Sequence, residues 1–154
     1  MKLLIGRHAV QSILHHALVT QSSVCCGLCA GNDQHIELAV PVNNISGNHH
    51  QECLLDGKKS ITILEEWDKL NINWLGVYYT LPCPPQVQSL SETLADILRE
   101  NPVIKDKLQK IWHLMIRLDT KGRMEIHAFF QQKEGLIELP VVMLEEHQTI
   151  SAPG

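Results

Sequence analysis

The chain lacks an excess of positive charge, a long apolar run, an internal repeat and any low-complexity tract. Its 154 residues hold 13 Lys+Arg against 17 Asp+Glu, for a formal charge of -4. No basic field is present to draw a phosphate backbone, so nucleic acid is not an expected partner. No stretch approaches the roughly 20 apolar residues of a membrane-spanning helix. The apolar start, Met1 to Gly6, ends at Arg7 and His8, too short for a signal core, so the chain reads as cytoplasmic with no membrane partner. Its length corresponds to about one domain, and a domain of this size buries about 70% of its unfolded surface. With 44% hydrophobic and 19% charged residues, it needs no cross-links to fold.

What the chain does have is nine histidines and five cysteines. These are borderline and soft ligands, so metal chemistry is the first functional question. The odd cysteine count and the adjacent pair Cys25-Cys26 fit reduced thiols rather than a disulfide framework.

Hydrophobic spacing predicts a helix over 8–20, with Val10, Ile13, Leu14, Ala17 and Leu18 inward and Gln11, Ser12, His15 and His16 on the polar side. The apolar run Val24 to Ala30, the turn signal Gly31-Asn32-Asp33 and the run His35 to Val42 predict a β-hairpin. Asn43 to Lys59 reads as a long loop, and Ser60 to Leu70 as a second helix. Trp74 to Thr80, nearly free of charge, predicts a strand buried on both faces. A third helix is predicted from Ser89 to Asn101. Runs over 111–118, 123–130 and 136–144 then predict a closing antiparallel meander. The expected fold is α/β, a single mixed sheet sandwiched by helices, with one domain over 1–144 and a frayed tail over 145–154.

Three groups could carry chemistry. Cys26 and Cys29 form a Cys-x-x-Cys, but side chains three apart on a strand point to opposite faces, so they read as small buried hydrophobes. A thiol redox role would need them to converge. His8, His15 and His16 lie on the polar side of the first helix without the four-residue spacing of helical metal pairs, and read as a solvated face. His49, His50 and Glu52 could supply part of a zinc shell, although adjacent histidines on extended backbone diverge. Ser89-Leu90-Ser91-Glu92 before an apolar helical pattern reads as a capping box. His113 and His127, alternating among apolar neighbours, read as satisfied sheet residues.

In order and interval, several segments together resemble the JAMM/MPN (JAB, Mov34-like) domain family, in particular its compact bacterial members. These are Val24-Cys25-Cys26-Gly27-Leu28-Cys29-Ala30-Gly31, Pro41-Val42-Asn43-Asn44, Gly76-Val77-Tyr78-Tyr79-Thr80-Leu81-Pro82 and Gln88-Ser89-Leu90-Ser91-Glu92. The resemblance covers nearly the whole chain and implies a JAMM/MPN-like, cytidine-deaminase-like fold. In active members two histidines and an aspartate hold zinc, an upstream glutamate is the general base and a serine supports the oxyanion. Zinc lowers the pKa of its bound water toward ~7, and a carboxylate removes the proton.

Carried over by position, the base falls on Val24, the histidines on Tyr79 and Leu81, the aspartate on Glu92, and the serine on Ser89, which alone is unchanged. Valine takes no proton and leucine ligates no metal. The resemblance therefore implies the fold without the reaction: a catalytically degenerate domain with no catalytic residues, no metal and no cofactor. The expected role is a protein-binding or scaffold module, its partner a ubiquitin-like or sulfur-carrier protein or another MPN domain. The alternative is a zinc-dependent isopeptidase or metallopeptidase with a relocated or altered site drawn from His49, His50 and Glu52, with His8 as a further candidate ligand.

Overall fold

The computed structural model describes residues 1–20, 24–44, 55–80, 111–118, 121, 123–132 and 135–144. These form strand β1 (Leu3–Ile5), helix α1 (Arg7–Val19), the hairpin β2 (Cys26–Asn32) and β3 (His35–Val42), and helix α2 (Gly57–Lys69). Strands β4 (Asn73–Thr80), β5 (Trp112–Leu118), β6 (Met124–Gln132), β7 (Gly135–Leu139) and β8 (Val141–Met143) follow. All eight strands lie in one mixed sheet of order β7-β6-β5-β4-β2-β3-β1-β8. The α/β class and the single mixed sheet agree with the sequence reading. The predicted third helix and the predicted tail lie outside the described residues.

β4 sits between β2 and β5, and its Trp74, Val77, Tyr78 and Tyr79 are all buried. This is the central position its lack of charge predicted. Two apolar clusters cover the two faces of the sheet. Under α2 lie Cys26, Leu28, Val77, Tyr79 and Met115 with Leu64 and Trp67 of the helix. Under α1 lie Cys25, Cys29, Tyr78, Trp112 and Leu114 with Ala9, Ile13 and Ala17. Alternation along β2 thus sends Cys26 to one face and Cys29 to the other, as predicted, and all three hairpin cysteines are buried thiols.

Irregularities adjust this pattern, among them a bulge at Glu37 in the β2–β3 ladder. In the β2–β4 ladder Cys29 opposes Gly76 while Ala30 opposes Trp74, leaving Leu75 as an extra residue on β4. The bulge returns Trp74 to the same face as Val77 and Tyr79, where its indole nitrogen donates to the Gly76 carbonyl at 2.9 Å. A further irregularity lies in the closing strands. The segment 136–144, expected to be one meander strand, is divided by Pro140: β7 pairs antiparallel with β6, and β8 pairs parallel with β1.

β7 and β8 stand at opposite ends of the strand order, yet one residue separates them. Neighbouring Cα atoms are about 3.8 Å apart, so the sheet has to curl until its ends meet, and the result is a near-barrel. Pro140 has no N–H with which to continue the β6 ladder, and its carbonyl instead accepts from the Leu3 N–H at 2.9 Å. β1 was missed as a strand in the sequence because three residues show no period.

α2 starts a turn earlier than its apolar spacing suggested, because the Asp56 side chain caps it by accepting from the Lys59 N–H at 3.3 Å. α1 begins directly after Gly6, whose N–H donates to the Ile36 carbonyl at 2.8 Å. Its later residue His16 reaches Tyr78. Tyr78 lies in the row Pro41–Gly27–Tyr78 across β3, β2 and β4, so α1 runs along β3 in the direction of that strand.

Gly27 makes this arrangement possible. A Cβ there would meet the Val40 carbonyl oxygen and the Tyr78 ring, so the ring lies across β2 only because the position is bare. Gly27→Ala is expected to lower stability by about 3 kcal/mol, read as a fall in the urea midpoint at unchanged slope. An unchanged midpoint would show that the backbone shifts at little cost.

Candidate functional site

Two of the positions singled out by the sequence, Val24 and Tyr79, lie at one end of the sheet, where β2 begins and β4 ends. Cys26 opposes Tyr79 in the ladder. One step outward, the Thr80 N–H donates to the Cys25 carbonyl at 2.8 Å, and the Cys25 N–H donates to the Thr80 hydroxyl at 3.0 Å. The Cys25 sulfur is also within 3.2 Å of that hydroxyl. Val24 precedes this pair, and its carbonyl accepts from the Asn44 side-chain amide at 2.9 Å. Val24 and Tyr79 are thereby brought to the same end, each 1% exposed. Leu81, Ser89, Glu92, His49, His50 and Glu52 lie outside the described residues.

The groups that the structure does place here are poor at acid–base work. Val24 has no ionisable group, and the Cys25 and Cys26 thiols are buried. Burial alone pushes the Cys29 thiol far above the ordinary thiol range, which keeps it protonated and unreactive. Burial first, and then the neighbouring thiols of Cys25, Cys29 and Cys26, push the Tyr78 phenol upward too, so it is a permanent hydrogen-bond donor. Among the described residues no three His, Cys, Asp or Glu side chains are grouped so as to hold a metal ion. Among them, too, no helix is long and apolar enough to cross a membrane.

The solution structure of protein DSY2949 from Desulfitobacterium hafniense superposes on this chain with a TM-score of 0.70. The two share a fold. The match covers 95% of this chain and 94% of that one at 20% sequence identity, a likeness of architecture alone. No family profile matches the chain, and no curated protein does.

The histidines correct the sequence reading in two places. His8 and His15 are exposed as expected, but His16 is half-buried and its Nδ1 lies 2.6 Å from the Tyr78 hydroxyl, with the rings edge to face at 5.9 Å. Strict helical spacing assigns His16 to the polar side, but an imidazole can lie along an apolar surface and still present a nitrogen at its tip. The available signal was Gly27, since a glycine inside a strand marks a close approach.

His127 is satisfied as expected: its Nε2 is 2.6 Å from Glu125 Oε1 and its Nδ1 is 3.2 Å from Glu138 Oε1. These two carboxylates lie against different ring nitrogens, so the three groups do not converge on one point. His113 is not satisfied. It is 1% exposed, opposes Val77 on β4 and Phe129 on β6, and its Nδ1 has no hydrogen-bond partner among the described residues.

Burial lowers the His113 pKa from 6.5 to about 4, because the charged imidazolium is the form that the apolar surroundings penalise. Between these values the unfolded chain binds the proton and the folded chain does not, so stability rises with pH. The contribution is complete above about pH 6.5 and is lost as pH falls toward about 4, a change on the order of 3 kcal/mol. His16 is lowered as well, by burial and then by His15, and adds in the same direction. His113→Leu is expected to remove most of the loss in a series of urea denaturations across this range, leaving the part due to His16. An unchanged pH dependence would remove His113 as its source.

Proposed function

We propose that this chain is a catalytically degenerate JAMM/MPN-like domain that works as a protein-binding or scaffold module. Its partner would be a ubiquitin-like or sulfur-carrier protein, or an active homologue. One observation supports this above the rest. The residues standing at the base position and the first histidine position, Val24 and Tyr79, come to the same sheet end and are both fully buried. An active centre of the zinc type needs an open coordination position and a general base within reach of its water, and neither residue supplies these functions. Tyrosine, with an ordinary pKa near ~10, is a poor ligand at neutral pH.

A binding role needs no reacting group. A partner's extended tail can add to a sheet through its main chain, with side chains setting specificity, and that mode survives the loss of every catalytic residue. The same holds for pairing with a homologue, in which this domain would serve as a rigid frame.

Two measurements test the reading. After incubation with excess zinc and gel filtration, metal emission spectroscopy is expected to find far less than one zinc per chain, whereas stoichiometric zinc would overturn it. Calorimetric titration with a ubiquitin-like protein, with a small carrier ending in Gly-Gly and with a zinc-binding homologue is expected to give saturable binding to one of them. The expected Kd is on the order of 10 μM or tighter. Absence of binding to all of them removes the module role.

A further inference from the structure

In the apolar cluster between α1 and the sheet, His16 on α1 forms a polar link to Tyr78 on β4. We infer that this pair is an acid-operated latch: the neutral imidazole holds the last turn of α1 on the sheet, and its protonation opens the contact. The geometry is specific. Nδ1 and the hydroxyl oxygen are 2.6 Å apart, the rings meet at 87°, and the tyrosine ring reaches α1 by crossing the bare Gly27.

The direction of the bond follows from the surroundings. The buried phenol keeps its proton and donates; the neutral imidazole accepts at Nδ1. Adding a proton to His16 places an N–H opposite the O–H. To keep the bond, the hydroxyl would have to turn its own hydrogen away from the imidazole, into surroundings that include the thiols of Cys25 and Cys29, which are weak acceptors.

The neighbouring titratable groups do not compensate. On α1 itself the next residue is His15, which adds positive charge. From β4 the group faces Tyr78, and near Tyr78 on β2 stand Cys25 and Cys29. β3 carries His35 and Glu37 close to Gly6, about 15 Å back along the helix. The helix end attracts a cation, but the His16 carbonyl already accepts from the Thr20 hydroxyl at 2.7 Å. That attraction moves the midpoint without restoring the bond.

Opening acts on the end of the sheet described above. Thr20 stands four residues before Val24, and Tyr78 directly precedes Tyr79, so the latch ties α1 to both strands of that end. The latch does not depend on the chain's being a binding module, and its test reads α1 alone.

Amide exchange measured on the full chain at about pH 7.5 and about pH 5, corrected for intrinsic rates, tests the latch. The amides of Ala17 to Thr20 are expected to exchange roughly tenfold faster at the lower pH. His16→Asn places an oxygen where Nδ1 was, accepts without titrating, and is expected to abolish the acceleration. Tyr78→Phe is expected to show fast exchange at both values. Should either variant fail to fold, nitrogen-15 spectra of the wild-type imidazole decide. His16 is expected to be neutral with Nδ1 unprotonated near pH 7.5 and to titrate with the same midpoint as the exchange. Acceleration that persists in His16→Asn, an absence of acceleration in the wild type, or two separate midpoints would each overturn the latch.

Discussion

The architecture depends on the packing of Tyr78 across Gly27. β4 opposes β2 in a register that puts these two residues together, and the ring fills the space that a side chain at Gly27 would have taken. From that contact the rest follows in two directions. The ring reaches α1, fixing where the helix lies along β3. The same register sets Cys26 against Tyr79 and Cys25 against Thr80, so the start of β2 and the end of β4 finish together. A shift by one residue would turn every side chain of β4 to the other face. It would bring Tyr78 under α2 and away from His16.

The closure of the sheet is a second constraint and acts at a distance from the first. Pro140 moves the chain from the β6 ladder to the β1 ladder within one residue. That step requires a curled sheet, and strand twist and bulges such as those at Glu37 and Leu75 are what bend a sheet. The bulge also keeps Trp74 in the α2 cluster. The irregularities in β4 and after β7 thus serve one end: a continuous apolar face under each helix.

Much of this was legible in the residues. β4 announced itself by its lack of charge, the hairpin by its turn, and the separation of Cys26 from Cys29 by the period of two. The features not legible were those decided by partners far away in sequence. Leu3–Ile5 is a strand because β3 and β8 flank it, and three residues have no periodicity to read. Residues 136 to 144 look like one strand, and Pro140 shows where it could change neighbour but not which neighbour it takes. His16 falls on the polar side of α1 by angle alone; only the position of Tyr78, 62 residues away, turns it inward. At the candidate site the same limit applies. Val24 and Tyr79 could be named from the order of motifs, whereas the Thr80 hydroxyl and the Asn44 amide that hold this end together needed the register.

The chemistry of that end has a physical consequence of its own. A metal centre requires polar side chains kept apart around an open position, and a core that stops short of them. Here the core runs on to the last residues of the ladder, since Val24, Cys25, Cys26 and Tyr79 are all buried. Burying a side chain such as valine stabilises a fold by about 2 kcal/mol, so the sheet end is held by its own packing and by the Cys25–Thr80 backbone pair. In the surrounding core His16 and His113, whose pKa values burial lowers, sit on opposite faces of the sheet. Protonating either one therefore acts on the packing of its own face of the sheet.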